Sequence, residues 1–410
     1  MSSDFFGDEL QVLLGALPVG VLRKSKNDAV EFFLLDSYKN NRLRPVLGQI
    51  FLDNPNEKWR VRSRVPEWFS NLLPEGMLRE LVANQASVSP QREFFLLRHL
   101  GQDLPGAVRI IAPQAELALM FEDSNLPDIE REATPGEWHF SLAGVQLKFS
   151  ARENDRGLTI PVSGTGGDWI VKLPDGRFEG VPENEFATML WAKVSGLNVP
   201  PTRLVPVKDI DGLPPHIGNV SKKMAYAVQR FDRGEGGTRI HIEDFAQVLG
   251  VYPEEKYKKY NYETIANVLS ALDGERGLVD FVRQIVFVMA SGNGDAHLKN
   301  WSLIYHDGIN ARLAPAYDLV STIQYMSEDR LALNFARSKD WGDISSDGFS
   351  RLARKIGWSE KKVLDIMDQA VAGVLTAWDQ SKNYFGYPSA CVQRIETHLK
   401  GIPIFKRRWG

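Results

Sequence analysis

A single cysteine, Cys391, stands in the 410 residues. That excludes an intramolecular disulfide and a CxxC metal site. No stretch of 18 uncharged apolar residues occurs, so no membrane-spanning helix is expected. The opening MSSDFFGDEL is acidic and has no basic segment leading into an apolar one, so no secretory leader is expected and the cytoplasm is the default compartment. Neither charge dominates: 49 Lys and Arg face 52 Asp and Glu, a net charge of −3. Bulk charge therefore gives no support for a chain that coats nucleic acid, although a local basic patch stays open. Repeats and low-complexity tracts are lacking too. The GxxxxGK[ST] of a P-loop is absent, and so is the DFG of protein kinases. What remains is an ordinary globular composition, 43% hydrophobic and 25% charged, long enough for two or three domains.

The chain is organised around residues 291–321, SGNGDAHLKNWSLIYHDGINARLAPAYDLVS. An apolar run, Phe281 to Ala290, leads in. Asp295 is followed five residues later by Asn300, and Asp318 comes 23 residues after Asp295. Between them Trp301 to Tyr305 is apolar-rich, His306-Asp307-Gly308 can turn, and Ala311 to Leu313 can return, which predicts a hairpin. A hairpin brings its ends together, and so places Asp295, Asn300 and Asp318 in one cleft. These are the parts phosphoryl transfer needs: a carboxylate to accept a hydroxyl proton, then an Asn and an Asp to hold magnesium. The offset of five is that of the kinase catalytic loop. In place of DFG, Asp318 sits in AYDLVS.

Taken in order, residues 9–54 read as short strands and turns, a small antiparallel sheet. WFSNLLPEGMLRELV is amphipathic, with Pro74 and Glu75 at a helix start, and Gln91 to Leu100 continues in helix. Residues 1–112 form a first subdomain, read from its composition as a packing module without chemistry of its own. The acidic segment from Pro113 to Pro135 reads as a linker. In HFSLAGVQLKFSA, residues 139–151, a tight turn between two strands can present backbone N–H groups to phosphate, or be an ordinary hairpin. Its candidates are Ser141, Ala143, Gly144, Val145, Gln146 and Lys148. Lys172, in the strand Trp169 to Lys172, either snorkels from a sheet edge or reaches into a cleft to hold nucleotide phosphates. Glu185 follows 13 residues later on an amphipathic helix from Pro182 to Ser195. It pairs with Lys172 or is a first-turn acid favouring the helix dipole.

Lys223 to Arg233 reads as a strand ending in a charged cluster. There Gln229 and Phe231 are hinge candidates for an adenine edge, while Arg230, Asp232 and Arg233 are an alternative ion network. Residues 113–235 would then make up the nucleotide-binding part of the first lobe, and 236–410 a helical lobe. In that lobe His241 to Gly250 has a helix period. Tyr262 to Leu272 and Leu278 to Ala290 give two helices, Asp329 to Asn334 a turn and short strand, and Phe349 to Ile356 a helix. Ser359 to Ser381 is the longest helical pattern, and Ser389 to Leu399 the last. KYKKYNY, residues 256–262, reads as solvated surface or a phosphate contact. The tail FKRRWG reads as a frayed end, or as a contact with a partner or nucleic acid.

The order phosphate loop, strand lysine, helix glutamate, Asp/Asn pair and following Asp is that of a kinase with a sheet-rich lobe before a helical one. Asp295 would orient and deprotonate the acceptor hydroxyl, with Lys299 as a second catalytic candidate that neutralises the γ-phosphate. Asn300 and Asp318 would ligate magnesium, and Lys172 would supply fixed charge. His297 belongs to the same site, and bracing the loop by hydrogen bonds suits it better than ligating a metal, because the neighbouring oxygen donors suit magnesium. A non-catalytic binding protein on a degenerate kinase fold and a small-molecule kinase are the rival readings.

GNGDAHLKN, APAYDLVS, SLAGVQLKFS, IVKLP, QRFDR and HIEDFAQVLG resemble the HipA-type serine/threonine kinases, the toxins of bacterial type II toxin–antitoxin modules. The resemblance runs from about Leu10 to the last helix. It implies an α+β, two-lobed protein-kinase-like fold with an N-terminal β-rich subdomain and a larger helical C-terminal lobe. It also implies transfer of phosphate from ATP, with Mg2+, to a serine or threonine of an aminoacyl-tRNA synthetase, glutamyl-tRNA synthetase in the founding case, stalling translation and giving persistence. By motif match Asp295 is the base, Asn300 and Asp318 are the magnesium ligands, and Lys172 contacts ATP. Ser141 matches a serine whose autophosphorylation inactivates family members. A helix-turn-helix, HipB-like antitoxin partner is implied, with operator DNA bound mainly through it, in the bacterial cytoplasm and without a membrane. The loop reads GVQLK where some members carry an acid before the lysine, and Gln229 stands where a glutamate is frequent.

Overall fold

The structure, a computed structural model, describes residues 8–112, 148–154, 157–160, 166–174, 178–213, 223–326 and 328–406. The phosphate-loop candidates Ser141, Ala143, Gly144, Val145 and Gln146, the acidic segment 113–135 and the last four residues of the tail lie outside them. The described chain is two-lobed and α+β, with sheets before helices.

The first sheet has the order β4-β3-β2-β1-β5. It is built from β1 (Glu9–Leu14), β2 (Leu17–Lys24), β3 (Ala29–Leu34), β4 (Trp59–Arg62) and β5 (Val108–Ile111). All its pairings are antiparallel. The period-two pattern of β3 turns Val30, Phe32 and Leu34 inward. The helix expected to start at Pro74 and Glu75 runs over Gly76–Gln85 with Glu75 as its N-cap, and a short helix, Glu67–Ser70, precedes it.

The second sheet, β10-β7-β6-β8-β11-β9, comprises β6 (Lys148–Asn154), β7 (Gly157–Thr159), β8 (Trp169–Lys172), β9 (Thr202–Pro206), β10 (Ile210–Asp211) and β11 (Met224–Gln229). Its two faces have different partners. Phe149, Ala151, Val171, Ala225 and Ala227 join Phe32, Trp68, Phe69 and Leu97 in one core, so the first subdomain and this sheet are packed as a unit. The other face carries Lys148, Lys172 and Tyr226 in register across neighbouring strands. Beside Tyr226 and Val228, the helix Val181–Val194 contributes Ala187, Met189 and Trp191 to the core of the second lobe.

The expected helix from His241 begins four residues late. His241–Asp244 is a strand, β12, paired antiparallel with β13 (Ser302–Tyr305). His241 and Glu243 alternate inward, and Asp244 then caps the short helix Phe245–Val248 in a capping box with Gln247. β13 returns through β14 (Arg312–Leu313), the predicted hairpin. The two helices expected between 262 and 290 form Tyr262–Ser291 with a break at Asp273 and Gly274. The strand expected in Asp329 to Asn334 does not form; a turn with positive φ at Ala336 and Arg337 closes that stretch through a bridge from Phe335 to Ser338. Ser346–Ile356, Glu360–Ser381 and Ser389–Gly401 complete the helical lobe around Trp191, Phe287, Trp301 and Trp378. Among the described residues no helix is long and apolar enough to cross a membrane.

Candidate active site

The long helix stops at Gly292, whose φ of +62° is a left-handed cap that other residues adopt only under strain. The loop that follows is held from within. Asn293 Oδ1 accepts the Asp295 N–H at 3.0 Å, and the Gly294 N–H donates to Thr322 Oγ1 at 2.6 Å. Gly294 is required here, since a Cβ would lie 2.1 Å from Asp329 Oδ1 and 2.6 Å from the Arg330 carbonyl. Two buried aromatics donate to the Ala296 carbonyl: the Tyr262 hydroxyl at 2.9 Å and the Trp301 indole at 3.3 Å. The His297 N–H donates to Asn300 Oδ1 at 3.2 Å. The bracing expected of His297 thus comes from its backbone. Its Nδ1 is buried without a hydrogen-bond partner among the described residues, and its ring meets Tyr257 edge-on at 4.9 Å. Burial depresses that imidazole to about 3, so it is neutral.

The hairpin delivers the second half of the site. Asn300 Nδ2 lies 3.2 Å from Asp318 Oδ2. Asp318 has φ +54°, a left-handed backbone that an aspartate tolerates but does not prefer. The surrounding structure over-determines it. Asn184 donates to the Ser321 carbonyl and accepts the Ser321 N–H, both at 3.0 Å. Asn293 donates to the Asp318 carbonyl at 3.4 Å.

Lys172 is buried and faces the cleft from a strand inside the sheet, so it does not snorkel from an edge. Its ammonium contacts Asp318 and lies 2.5 Å from Glu185 Oε1. Burial opposes its charge, but the two carboxylates outweigh burial and raise it above the ordinary lysine range. Asp318 is half-buried, which raises its carboxyl, yet Lys172 and Lys148 hold it well below the usual carboxylate range. Glu185 has an Oε2 without a partner among the described residues, and burial pushes it up to about 7 despite Lys172. Lys148, across the sheet, is pushed down to about 8 by burial, with Asp318 partly restoring it.

Lys299 is tethered. Its ammonium lies 2.9 Å from Glu75 Oε1 and 3.1 Å from the Asn71 carbonyl. Lys256 lies 2.8 Å from the other oxygen of Glu75. The first subdomain therefore supplies charge to the cleft and is more than packing, and KYKKYNY is more than solvated surface. Burial works against the Glu75 charge, but Lys299 and Lys256 hold its carboxyl down to about 2. In the same run the Tyr257 hydroxyl donates to Asp295 Oδ1 at 2.6 Å. Pattern-reading missed Glu75, Asn71 and Tyr257. Glu75 had only a helix-start signal, and nothing local marks the tyrosine that meets Asp295.

The QRFDR segment forms the expected ion network, and its two hinge candidates line the cleft. Arg230 and Arg233 lie 2.7 and 2.8 Å from Asp232 Oδ2, and Arg233 lies 2.9 Å from Asp103 in the first subdomain. Gln229 and Phe231 meanwhile face the cleft, and Phe231 meets Tyr317 at 5.5 Å. Lys148, Lys172, Gln229, Phe231, Asp295, His297, Lys299, Asn300 and Asp318 all line one cavity of about 590 Å³.

This arrangement can place a proton acceptor, a carboxylate with an amide beside it and fixed cations around one bound anion. The sequence as a whole has matching relatives. Residues 10–111 match the HipA N-terminal domain and residues 140–378 the HipA-like C-terminal domain. The chain is 43% identical over 409 residues to a putative kinase, Y4dM, of Sinorhizobium fredii (strain NBRC 101917 / NGR234), covering 97% of this chain and 98% of that one. It is 28% identical over 304 residues, 66% of each chain, to the serine/threonine-protein kinase toxin HipA of Shewanella oneidensis. Its fold is similar to a solved structure of the Shewanella oneidensis MR-1 toxin–antitoxin system HipA, HipB and its operator DNA, with a TM-score of 0.73 at 21% identity over 98% of this chain and 99% of that one. With both domains matched, and a relative this similar over its whole length, the chain belongs to the HipA family.

Proposed function

We propose that this chain is an ATP- and magnesium-dependent serine/threonine protein kinase, the toxin of a toxin–antitoxin pair. The observation that carries the reading is the convergence of Asp295, Asn300, Asp318 and Lys172 on one cavity, with Lys172 held between Glu185 and Asp318. Asp295 accepts the proton of the acceptor hydroxyl as that oxygen attacks the γ-phosphorus and the bond from the γ-phosphorus to the β–γ bridging oxygen breaks, with ADP leaving. Lys172, oriented by Glu185, places fixed positive charge beside the phosphates. Gln229 and Phe231 offer the hinge edge to adenine.

The donor set suits magnesium. Asp318 and Asn300 bring a carboxylate and an amide side by side. Among the described residues no cluster of three His, Cys, Asp or Glu side chains forms a dedicated metal cage. Magnesium is commonly held by one or two protein oxygens, with phosphates and water completing the shell. When bound, it neutralises charge on the transferring phosphate.

An aminoacyl-tRNA synthetase is the proposed substrate, with glutamyl-tRNA synthetase first, so that phosphorylation inhibits translation. Ser141 is the proposed site of inactivating autophosphorylation, since nearly two added charges in a phosphate-receiving loop repel phosphate. A HipB-like antitoxin is the proposed partner, as the HipA–HipB–operator complex of the similar structure suggests.

The test is transfer of radiolabelled γ-phosphate, with magnesium, to a panel of synthetases and their tRNAs, with Asp295→Asn as control and mass spectrometry to place the label. Label on one synthetase and on Ser141, absent from the control, establishes the reading. Label on a small-molecule hydroxyl alone overturns the protein substrate. No label from folded, unphosphorylated protein overturns the kinase.

A further inference from the structure

Asp295 has two carboxylate oxygens, and the fold treats them differently. Oδ1 accepts the Tyr257 hydroxyl at 2.6 Å. Oδ2 has no hydrogen-bond partner among the described residues, and the residue is open to the cleft. Tyr257 is not a loosely placed side chain that happens to reach the loop. The Leu298 N–H donates to the Lys256 carbonyl at 3.3 Å, which ties the tyrosine's own backbone to the catalytic loop. The neighbouring Lys256 ammonium is fixed on Glu75 at 2.8 Å. The ring is steadied by its edge contact with His297 at 4.9 Å. Tyr257 is 38% exposed on its other side, and its hydroxyl has one proton to give, which it gives to the carboxylate.

We infer that Tyr257 is the positioning residue of Asp295, holding Oδ1 so that Oδ2 faces the acceptor hydroxyl and the carboxylate stays ionised. This rests on Asp295 being the base proposed above. The electrostatics agree with the geometry. Desolvation by the walls of the cleft raises the Asp295 carboxyl. The Tyr257 hydrogen bond and the Lys256 ammonium pull it back, while Asp318 and Asp329 across the cleft push it up. A hydrogen bond to an ionised carboxylate favours the charged form. Without it the base protonates at a higher pH. The phenol also removes one of the two orientations in which the carboxylate could meet its substrate, a contribution to near-attack geometry that charge alone does not supply.

The variant Tyr257→Phe keeps the ring against His297 and removes only the hydroxyl. The expected result is a loss of phosphoryl transfer that depends on pH. The acid limb of kcat/KM moves up by about one unit, the amount a hydrogen bond to a charged group supports. The deficit is then about tenfold on the acid limb and small on the alkaline side, with the KM for ATP unchanged. An equal loss at every pH would mean simple packing and overturn the inference. So would faster transfer with a lower acceptor KM, which would make the phenol an obstruction in the acceptor site. A second readout needs no activity. The Asp295 carboxyl is titrated by carbon NMR in aspartate-labelled protein, assigned with Asp295→Asn. Its midpoint rises in Tyr257→Phe on this inference, and an unchanged midpoint sinks it. If the wild type transfers no phosphate while Tyr257→Phe shows the rise, the kinase reading falls and the Tyr257–Asp295 coupling stands.

Discussion

Glu75 joins the first subdomain to the catalytic loop, and Glu75→Gln removes its charge at constant size. The carboxyl sits between Lys299 at 2.9 Å and Lys256 at 2.8 Å, with 15% of its side chain exposed. Burial alone would raise it, yet the two ammonium groups bring it from an ordinary 4.5 down to about 2. Glutamine stands in for the protonated form. A drop of about 2.5 units, at about 1.4 kcal/mol each, corresponds to about 3 kcal/mol of stability at neutral pH. The sign follows from the direction of the shift. A depressed carboxyl contributes fully above its unfolded value and loses that contribution as pH falls through its folded one. The gap between wild type and variant therefore stays near about 3 kcal/mol from pH 7 down to about pH 4.5, and narrows to roughly 1.5 kcal/mol near pH 3. Urea unfolding followed by tryptophan fluorescence at pH 7 and pH 3 measures both gaps. A gap under about 1 kcal/mol at pH 7, or one that does not narrow on acidification, would refute the account of Glu75 as the charge clamp of the catalytic loop.

Lys172→Met leaves Glu185 and Asp318 facing each other without their shared cation. Phosphoryl transfer is expected to fall by about 10²-fold or more in single-turnover assays, as for loss of one preorganised electrostatic group. Gly294→Ala forces a methyl group to within 2.1 Å of Asp329 Oδ1 and 2.6 Å of the Arg330 carbonyl. Transfer should drop and the thermal midpoint should fall with a cost of about 1–3 kcal/mol, the range for overpacking. Asp103→Asn strips the carboxylate from Arg233 at 2.9 Å, Arg239 at 3.4 Å and Arg230 at 3.7 Å. Calorimetry should register a loss on the order of 3 kcal/mol, because Arg230 and Arg233 are left to share Asp232 and Arg239 loses its ion pair with Asp103.

Much of the fold was legible because its signals are local. The period of two in β3, the break at Asp273-Gly274 and the hairpin after Asn300 are each written within about a dozen residues. Where reading failed, a local pattern had two meanings. HIEDFAQVLG fits a helix by spacing, but pairing with β13 claims its first four residues as strand, since His241 and Glu243 bury themselves on alternate positions. Asp329 to Asn334 has strand-like residues but joins no sheet among the described residues; the Leu331 N–H donates to the Lys339 carbonyl across a local turn instead.

Sequence by itself determined the order of the chemical groups. Asp295, Asn300 and Asp318 come from one stretch, joined by a hairpin that leaves their ends no choice but to meet. Lys172 and Glu185 are similarly close along the chain, on a strand and the helix that follows it. Only the tertiary structure decided what those groups are tied to. Glu75 meets Lys256 across 181 residues, and Lys299 meets the Asn71 carbonyl across 228. Tyr257 finds Asp295 because the Lys256 carbonyl is pinned to the catalytic loop. Spacing within one element is a property of backbone geometry and can be counted. Contacts between distant segments exist only once a shared core has fixed where each segment lies, and no residue count carries that information.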